Sequence, residues 1–367
     1  MKWHIGIGGA CTRKVLSVVM ASALVLSPAT AGPALLFDAG TGRILYAEDQ
    51  DDQWYPASLT KIMTAYLVFE ALKDGKIGLQ DKVKVSELAH SQAPSRLGLP
   101  VGSEITVETA LQALIIKSAN DAAVMLAEKI AGTQEAFAER MNAAARRLGM
   151  SRTNYVNPNG LPAPEQVSTA RDLARLTIAV VRDHPGYAHY WGMEEMRMGK
   201  RVLRNHNPLL RSYDGSDGIK TGFICDSGFN MVASASRNGQ KLMAVVLGET
   251  TGANRSSRAA NLLEHGFQTA AWKTLFGADS VDTLPVAADA KGAASIRQSV
   301  ISIVCGTARR RVARGRSKAK AAKAKAGAVA AAASKTPSKA KTAGGSAAEA
   351  PKAKAPAAKK APAAAGN

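Results

Sequence analysis

Short, mostly apolar runs bounded by turn residues, near both ends of the central region, predict the strands of one antiparallel sheet. Residues 34–47 contain two such runs around a glycine-rich turn, a pattern typical of a β-hairpin. Longer runs at 229–235 and 241–247 meet at Asn238-Gly239, a strong turn signal. We therefore predict a second hairpin there, in a sheet that joins the two ends of the domain.

Between the hairpins, apolar residues recur every three to four positions, which predicts helices. The predicted helices span residues 58–72, 106–117, 121–131, 134–148, 169–181 and, after the second hairpin, 257–275. Thr169 and Asp172 form the capping-box pattern that opens such a helix. Strands at both ends with helices between them predict an α+β fold, an antiparallel sheet flanked by helices with an all-helical subdomain.

The charge of the 367-residue chain is concentrated at its ends. Of the formal net charge of +19, residues 306–367 carry +15 and residues 1–31 carry +3. The region 32–305 is therefore nearly neutral, which argues against a folded nucleic-acid-binding body. Three cysteines in the whole chain exclude a disulfide-dense scaffold and a cysteine-rich zinc module.

The compositions of residues 1–31 and 306–367 are not those of a folded domain. In residues 1–31, Arg13 and Lys14 precede a short apolar run and the small residues 29–31, as in a secretory signal peptide; an uncleaved anchor is the alternative. The Ala/Lys/Pro-rich region 306–367 has no aromatic residue, so we expect it to be disordered. We expect an exported protein of the periplasm or cell envelope, peripheral on the membrane at most. Its tail is either a solvated spacer or a ligand of an anionic membrane or wall polymer, and no nucleic acid partner is expected.

Three short motifs carry the candidate chemistry. Ser58-Leu59-Thr60-Lys61 is Ser-x-x-Lys, Ser118-Ala119-Asn120 is Ser-x-Asn, and Lys220-Thr221-Gly222 is Lys-Thr-Gly. Each alone is unspecific, because Ser-x-x-Lys recurs twice in the tail and Ser-x-Asn recurs at Ser236. In this order, at a predicted helix start, an interhelix turn and a predicted strand start, they match the signature of active-site serine penicilloyl enzymes.

The first motif suits nucleophilic catalysis. Ser58 and Lys61 share one helix face, so the lysine can reach the hydroxyl and act as its base. A lysine is a base only when neutral, and both burial and the charge of Lys220 would lower its pKa. Backbone N–H groups at the helix start can stabilise an oxyanion beside Ser58.

The other two motifs suit substrate binding and proton transfer. Ser118 can shuttle a proton to the leaving group, and Asn120 can hold a substrate amide. Lys220 and Thr221 can bind a substrate carboxylate, while Gly222 lets the substrate backbone lie against the strand edge.

The sequence resembles the low-molecular-weight penicillin-binding proteins, the D-alanyl-D-alanine carboxypeptidase family of serine peptidases, over about residues 33–277. Beyond the three motifs, the resemblance rests on longer blocks at 56–64, 118–123, 157–162, 170–174, 217–223 and 227–235. It implies the fold of the serine β-lactamases and DD-peptidases, with a catalytic domain at 32–280. Residues 281–305 are then a short trailing segment, too short for the second domain of many members.

By this resemblance, Ser58 is the acylated nucleophile, Lys61 the general base and Ser118 a proton relay. The backbone N–H groups of Ser58 and Phe223 form the oxyanion hole. Lys220, with Thr221, binds the terminal D-alanine carboxylate.

Arg255 follows the last predicted strand, where the family often has an arginine near that carboxylate; a surface arginine is the alternative. Phe223 stands where some members have histidine, so the substrate contact there becomes apolar. The sequence has no clear match to the separate deacylating glutamate of class A β-lactamases, and β-lactams are expected to be long-lived covalent inhibitors. Cys225 and Cys305 either pair or remain thiols, and for His206 a structural role is favoured.

The sequence thus predicts a serine-type D-Ala-D-Ala carboxypeptidase that trims the terminal D-alanine from peptidoglycan stem pentapeptides, with no metal or organic cofactor. The alternatives are a DD-endopeptidase on peptidoglycan cross-links, and a wall- or polyanion-binding protein that retains the fold.

Overall fold

Five antiparallel strands form the central sheet of the computed structural model, which describes residues 32–273 and 279–306. They are β1 (Ala34–Asp38), β2 (Ile44–Glu48), β7 (Ser216–Ile224), β8 (Gly228–Arg237) and β9 (Gln240–Glu249). Their order is β2-β1-β9-β8-β7. In the middle of the sheet, β1 from the start of the domain thus pairs with β9 from near its end. Both predicted hairpins and the sheet that joins the ends are confirmed. The predicted leader and the basic region from residue 307 lie outside the described residues.

Ten helices are present in the described part of the chain. They are α1 (Thr60–Lys73), α2 (Glu87–Ser91), α3 (Val107–Gln112), α4 (Asn120–Ala131), α5 (Gln134–Arg147), α6 (Ala170–Asp183), α7 (His189–Gly192), α8 (Leu209–Ser212), α9 (Gly252–Lys273) and α10 (Ala294–Val304). Hydroxyl side chains at Ser86, Thr106, Thr133 and Thr169 cap four of them by accepting a backbone N–H bond. No helix of these described residues has the length and apolar character needed to cross a bilayer.

The short helices α2, α7, α8 and α10 were not predicted, and α9 begins five residues earlier than expected. Two of the predicted helices also differ in their detail. The predicted helix over 106–117 is α-helical only in α3, and residues Ala113–Lys117 form a wider π-helical turn. At α6, Thr169 caps the helix as predicted, but the Asp172 carboxylate accepts hydrogen bonds from the Arg152 N–H and the Thr153 hydroxyl. Asp172 therefore joins a preceding loop to the helix rather than completing a capping box.

Two small two-stranded sheets escaped the sequence prediction. β3 (Lys82–Lys84) pairs with β4 (Glu104–Thr106), and β5 (Glu195–Met198) pairs with β6 (Arg201–Arg204). Each strand has only three or four residues, several of them charged. Runs of this length are too short for their alternation to indicate a strand.

The sheet is buried on both faces. Leu35 and Phe37 of β1 point into a large core shared with α1, α4 and α6, while Leu36 points into a second core with Leu262 and Leu263 of α9. Side chains that alternate along a strand point to opposite faces, so one strand serves both cores. The central sheet is therefore covered by helices on each side.

The Lys-Thr-Gly motif lies within β7. The sequence had predicted that the strand begins only at or after the motif. The strand begins at Ser216, with a bulge before Gly218, and continues through the motif to Ile224. Asp217 and Gly218 look like turn residues in the sequence, which is why the start was placed too late. Because β7 is at the end of the sheet, one of its backbone edges has no partner strand within the described residues.

The segment that follows α9 is fastened to the body by a buried ion pair. Arg171 and Asp51 are almost fully buried and in contact at 2.6 and 2.8 Å. Arg171 also donates to the carbonyl oxygens of Val281, Leu284 and Pro285, and the backbone N–H of Ala287 donates to Asp51. Residues 281–287 therefore pack as an integral part of the domain.

A disulfide joins Cys225, just after β7, to Cys305 at the end of α10, with the two Cα atoms 5.7 Å apart. Of the two possibilities that the sequence left open, the structure thus has the paired form. The bond ties the last described helix to the β7–β8 turn.

Replacing both cysteines by serine is expected to lower the free energy of unfolding by up to about 4 kcal/mol, because the bond closes a long loop, with a sequence separation of 80. The hydrogen bonds that hold 281–287 retain part of that constraint, so the loss should fall below this upper figure. Urea unfolding with and without reductant measures the effect, and the serine variant should not respond to reductant. Equal stability of the oxidised and reduced wild-type protein would contradict the prediction.

Candidate active site

Ser58 lies in a tight turn (Ala57–Leu59) that leads directly into α1. The Asn230 side chain on β8 donates to the carbonyl oxygens of Tyr55 and Pro56, which fixes the approach to this turn. A Cβ at Gly222 of β7 would lie 3.0 Å from the Pro56 oxygen and 3.1 Å from the Ser58 nitrogen. Glycine is thus needed for β7 to approach the serine turn so closely.

Lys61 is fully buried in the first turn of α1. Its Nζ contacts three oxygens, Ser58 Oγ at 2.9 Å, Asn120 Oδ1 at 2.7 Å and the Asn159 carbonyl at 2.5 Å. Burial lowers the pKa of Lys61 well below its usual value, and the positive charge of Lys220 lowers it further. These are the two causes that the sequence analysis named, so the structure holds a lysine that loses its proton readily next to a serine hydroxyl.

Ser118 and Asn120 lie at the junction between the π-helical turn and α4. Ser118 has left-handed backbone angles, φ 56° and ψ 38°, and its buried Oγ has no hydrogen-bond partner within the described structure. Asn120 is the first residue of α4; its Oδ1 faces Lys61, and its Nδ2 donates to the Ala93 carbonyl at 2.8 Å. In this structure both ends of the Asn120 amide are thus engaged by the protein.

Two further cations, Lys220 and Arg255, are buried, and the charge of Lys220 acts on Lys61. Lys220 on β7 is almost inaccessible, and burial together with the charge of Arg255 lowers its pKa to about 7. Arg255, in the first turn of α9, is only 8% exposed, and burial lowers its pKa to about 10. The alternative of a surface arginine is therefore wrong. Two neighbouring buried cations provide a strongly positive environment suited to an anion.

The serine opens into a cleft of about 290 Å³. Its lining residues are Ser58, Pro94, Ser95, Ser118, Asn120, Asn159, Gly160, Leu161, His206, Phe223 and Ile224. The cleft has a polar side around the hydroxyls and an apolar side formed by Leu161, Phe223 and Ile224. Phe223 is 43% exposed and packs against Phe229, with the ring centroids 4.3 Å apart and the ring planes tilted by 33°.

Two residues of this site were missed by the sequence analysis. Asn159 contributes its backbone carbonyl to Lys61, and a carbonyl has no residue-specific signal, although the surrounding block was recognised. His206, for which a structural role was favoured, lines the cleft. Partial burial and the charges of Lys220 and Lys117 lower the pKa of His206 to about 4, so it is neutral at neutral pH. A lone histidine gives no sequence signal for this position.

The sequence and the fold of the chain are both similar to those of known proteins. The chain is 39% identical over 241 residues to the D-alanyl-D-alanine carboxypeptidase DacC of Escherichia coli, covering 64% of this chain and 60% of that protein. Its fold matches penicillin-binding protein 5 of Haemophilus influenzae with a TM-score of 0.63 and 37% identity, over 65% of this chain and 71% of that one. It also matches penicillin-binding protein D2 of Listeria monocytogenes in its cefotaxime-bound form, with a TM-score of 0.60 and 31% identity, over 65% and 97% of the two chains.

The fold is therefore that of the penicillin-binding proteins, as the sequence analysis predicted. The sequence profile described as D-alanyl-D-alanine carboxypeptidase matches residues 20–251, and the chain belongs to this family of serine peptidases. The chain spans about six tenths of the length of the curated relatives it matches.

Proposed function

We propose that the protein is a serine-type D-Ala-D-Ala carboxypeptidase that removes the terminal D-alanine from peptidoglycan stem peptides through an acyl-enzyme. The observation that carries the proposal is the arrangement of three oxygens around the buried Nζ of Lys61. A neutral amine has two hydrogens and one lone pair. When the hydrogens are donated to Asn120 and Asn159, the lone pair points to the Ser58 hydroxyl, as a general base requires.

The proposed reaction begins when Lys61 takes the Ser58 proton and Oγ attacks the carbonyl carbon between the two D-alanines. The backbone N–H groups of Ser58 and Phe223 stabilise the resulting oxyanion. The C–N bond then breaks, and the leaving amine receives the proton from Lys61 by way of the Ser118 hydroxyl. A water molecule, activated by the same two residues, attacks the ester and releases Ser58.

The terminal carboxylate of the substrate is proposed to bind beside Lys220 and Thr221 on β7, with Arg255 supplying further positive charge. Support comes from the buried cations described above, which have no carboxylate partner among the described ion pairs. Substrate backbone lies along the free edge of β7 next to Gly222. The apolar contact at Phe223 would then face the acyl part of the peptide.

Incubation with a penicillin followed by intact-mass measurement tests the acyl-enzyme directly. We expect one stable adduct on the wild-type protein and none on Ser58→Ala. D-Alanine release from a peptide ending in Lys-D-Ala-D-Ala should be lost in the same variant. An adduct without D-alanine release would favour endopeptidase activity on cross-linked peptides. Absence of an adduct on the wild-type protein would overturn the proposal.

Export is also proposed, with residues 1–31 as a secretory leader that brings the protein to the periplasm or cell envelope. The relatives are named for wall peptide chemistry, and that substrate lies outside the cytoplasm. For the basic region 306–367 we propose attraction to an anionic membrane or wall polymer, which would be sensitive to salt.

The pH dependence of kcat/KM is expected to be bell-shaped. Activity needs neutral Lys61, so it should rise as pH increases through the lowered pKa of this lysine. Activity also needs a charged Lys220 to bind the carboxylate, so it should fall above the Lys220 pKa of about 7. Steady-state kinetics from pH 5 to 10 measure both limbs. Arginine at position 220 stays charged, so Lys220→Arg should move the alkaline limb upward, and an unmoved limb would contradict its assignment.

Replacing Arg255 with leucine is expected to raise KM for the D-Ala-D-Ala peptide by about a hundredfold, because a charge-assisted contact to the carboxylate is lost. The effect on kcat should be much smaller. Steady-state kinetics on the acid and its C-terminal amide distinguish the cause, since the amide should respond little to the substitution. Equal losses for acid and amide would contradict carboxylate recognition by Arg255.

A further inference from the structure

Besides Ser58 Oγ, the Nζ of Lys61 contacts Asn120 Oδ1 and the Asn159 carbonyl oxygen. Both asparagines are hydrogen-bonded to one dipeptide outside the three motifs, Gln92-Ala93. The Ala93 carbonyl accepts from Asn120 Nδ2 at 2.8 Å, which turns Asn120 Oδ1 toward Lys61. The Gln92 Oε1 accepts from Asn159 Nδ2 at 2.7 Å, which holds the residue whose carbonyl faces Lys61. A segment on one side of the cleft thus fixes both partners of the base.

The orientations of both amides in the Gln92–Asn159 pair are determined by backbone neighbours. Gln92 Nε2 donates to the Leu88 carbonyl at 3.0 Å, so its oxygen must face Asn159. Asn159 Oδ1 accepts from the Leu161 N–H at 3.0 Å, so its nitrogen must face Gln92. Each side-chain amide therefore has a donor and an acceptor partner, and the bond between them has a defined direction.

Asn159 has little freedom to find another position. A Cβ at the next residue, Gly160, would overlap the Ala57 carbonyl, so the loop is packed directly against the serine turn. The Asn159 side chain reaches away from this contact to Gln92, while its backbone carbonyl accepts from Lys61. Loss of the Gln92 oxygen would leave a buried amide donor unsatisfied and release the loop at that point.

We propose that Gln92 is a positioning residue of the active site, which acts through Asn159 to aim the lone pair of Lys61 at Ser58. Gln92 is absent from the residues that line the cleft, so it acts on the site through its hydrogen bond to Asn159. The inference rests on the proposed function, because it assigns Lys61 the role of base. Lys220 on β7 and Asp121 on α4 are the charged groups whose fields reach Lys61, and the Gln92 amide adds no charge to them.

Two substitutions separate this role from a merely structural one. Both substitutions remove the Nε2 donor to Leu88, but Gln92→Met also removes the acceptor for Asn159, whereas Gln92→Glu keeps that acceptor and adds a negative charge. Gln80→Met is the matched control, because Gln80 is exposed and hydrogen-bonds Glu108 away from the cleft. The acylation rate constant with a penicillin is measured from pH 5 to 10, together with reversible affinity and the thermal unfolding midpoint.

For Gln92→Met we expect acylation about tenfold slower at every pH, with reversible affinity within about twofold of wild type. For Gln92→Glu we expect a nearly normal maximum rate, with the acid limb moved up by about half a pH unit, since a nearby carboxylate favours the charged lysine. Gln80→Met should match the wild type.

Acylation of Gln92→Met at the wild-type rate would overturn the inference while leaving the proposed function intact. If that variant does not fold, the Gln92→Glu profile decides, and an unmoved acid limb overturns the inference. A wild-type protein that forms no adduct would instead overturn the proposed function, and the inference with it.

Discussion

Lys61→Met should acylate with penicillin about a thousandfold more slowly than the wild-type protein, because it removes the only group within the described part of the chain that hydrogen-bonds Ser58 Oγ and can take its proton. Methionine has a similar length and is apolar, so it fits the buried position of the lysine stem. It leaves Asn120 Oδ1 and the Asn159 carbonyl without their donor, at a cost of about 1–3 kcal/mol in stability. The variant should therefore fold and still bind substrate.

An intact-mass time course gives the acylation rate, and thermal unfolding confirms that the variant is folded. Lys73→Met is the control, since Lys73 is an exposed residue at the end of the same helix. It should acylate as the wild type does. A folded Lys61→Met protein that acylates at the wild-type rate would show that another group is the base.

Arg171→Leu is expected to lower the free energy of unfolding by about 3–5 kcal/mol, because it leaves a buried carboxylate without its partner. Arg171 and Asp51 are 1% and 2% exposed, so neither charge is compensated by water. Burial would raise the pKa of Asp51, but hydrogen bonds and charge from Arg171 outweigh it and hold that pKa below its usual value. The carbonyl oxygens of Leu284 and Pro285 also lose their donor, whereas the Val281 oxygen keeps a hydrogen bond from Arg175.

Urea unfolding at neutral pH measures the loss. Arg182→Leu is the matched control, since it breaks the exposed pair with Asp183 and should cost less than about 1 kcal/mol. The ionised Asp51 stabilises the wild type above its unfolded-state pKa, and this contribution disappears as pH falls through the lower folded-state pKa. Arg171→Leu should lack that acid-dependent loss. Equal costs for the two arginine substitutions would contradict the assignment.

The elements that the sequence predicted correctly are those with strong periodicity. Both hairpins of the sheet and the helices α4, α5 and α6 have long, regular apolar patterns, and the structure has them within a few residues of the predicted bounds. The strands β3 to β6 are too short and too charged for such a pattern. The start of β7 was misplaced because Asp217 and Gly218 have turn propensity, whereas their conformation is set by pairing with β8.

The candidate site was predictable only where its chemistry depends on side chains in recognisable motifs. Ser58, Lys61 and Lys220 are identified by residue type and spacing, and the structure brings them together. Asn159 acts on Lys61 through a backbone carbonyl, and Gln92 acts through a hydrogen bond between residues 67 positions apart. Neither contact has a local sequence pattern, so both had to come from the three-dimensional structure.

Few residue types can replace Ser118, because its backbone is in the left-handed region. Glycine adopts φ 56° without strain but has no hydroxyl, and alanine has neither the hydroxyl nor the conformational freedom. Threonine would supply the hydroxyl, but a β-branched side chain is strongly disfavoured in that conformation. Serine combines a hydroxyl with the smallest steric conflict at this angle. If Ser118 is the proposed proton relay, substitutions here that spare the fold are expected to lower turnover.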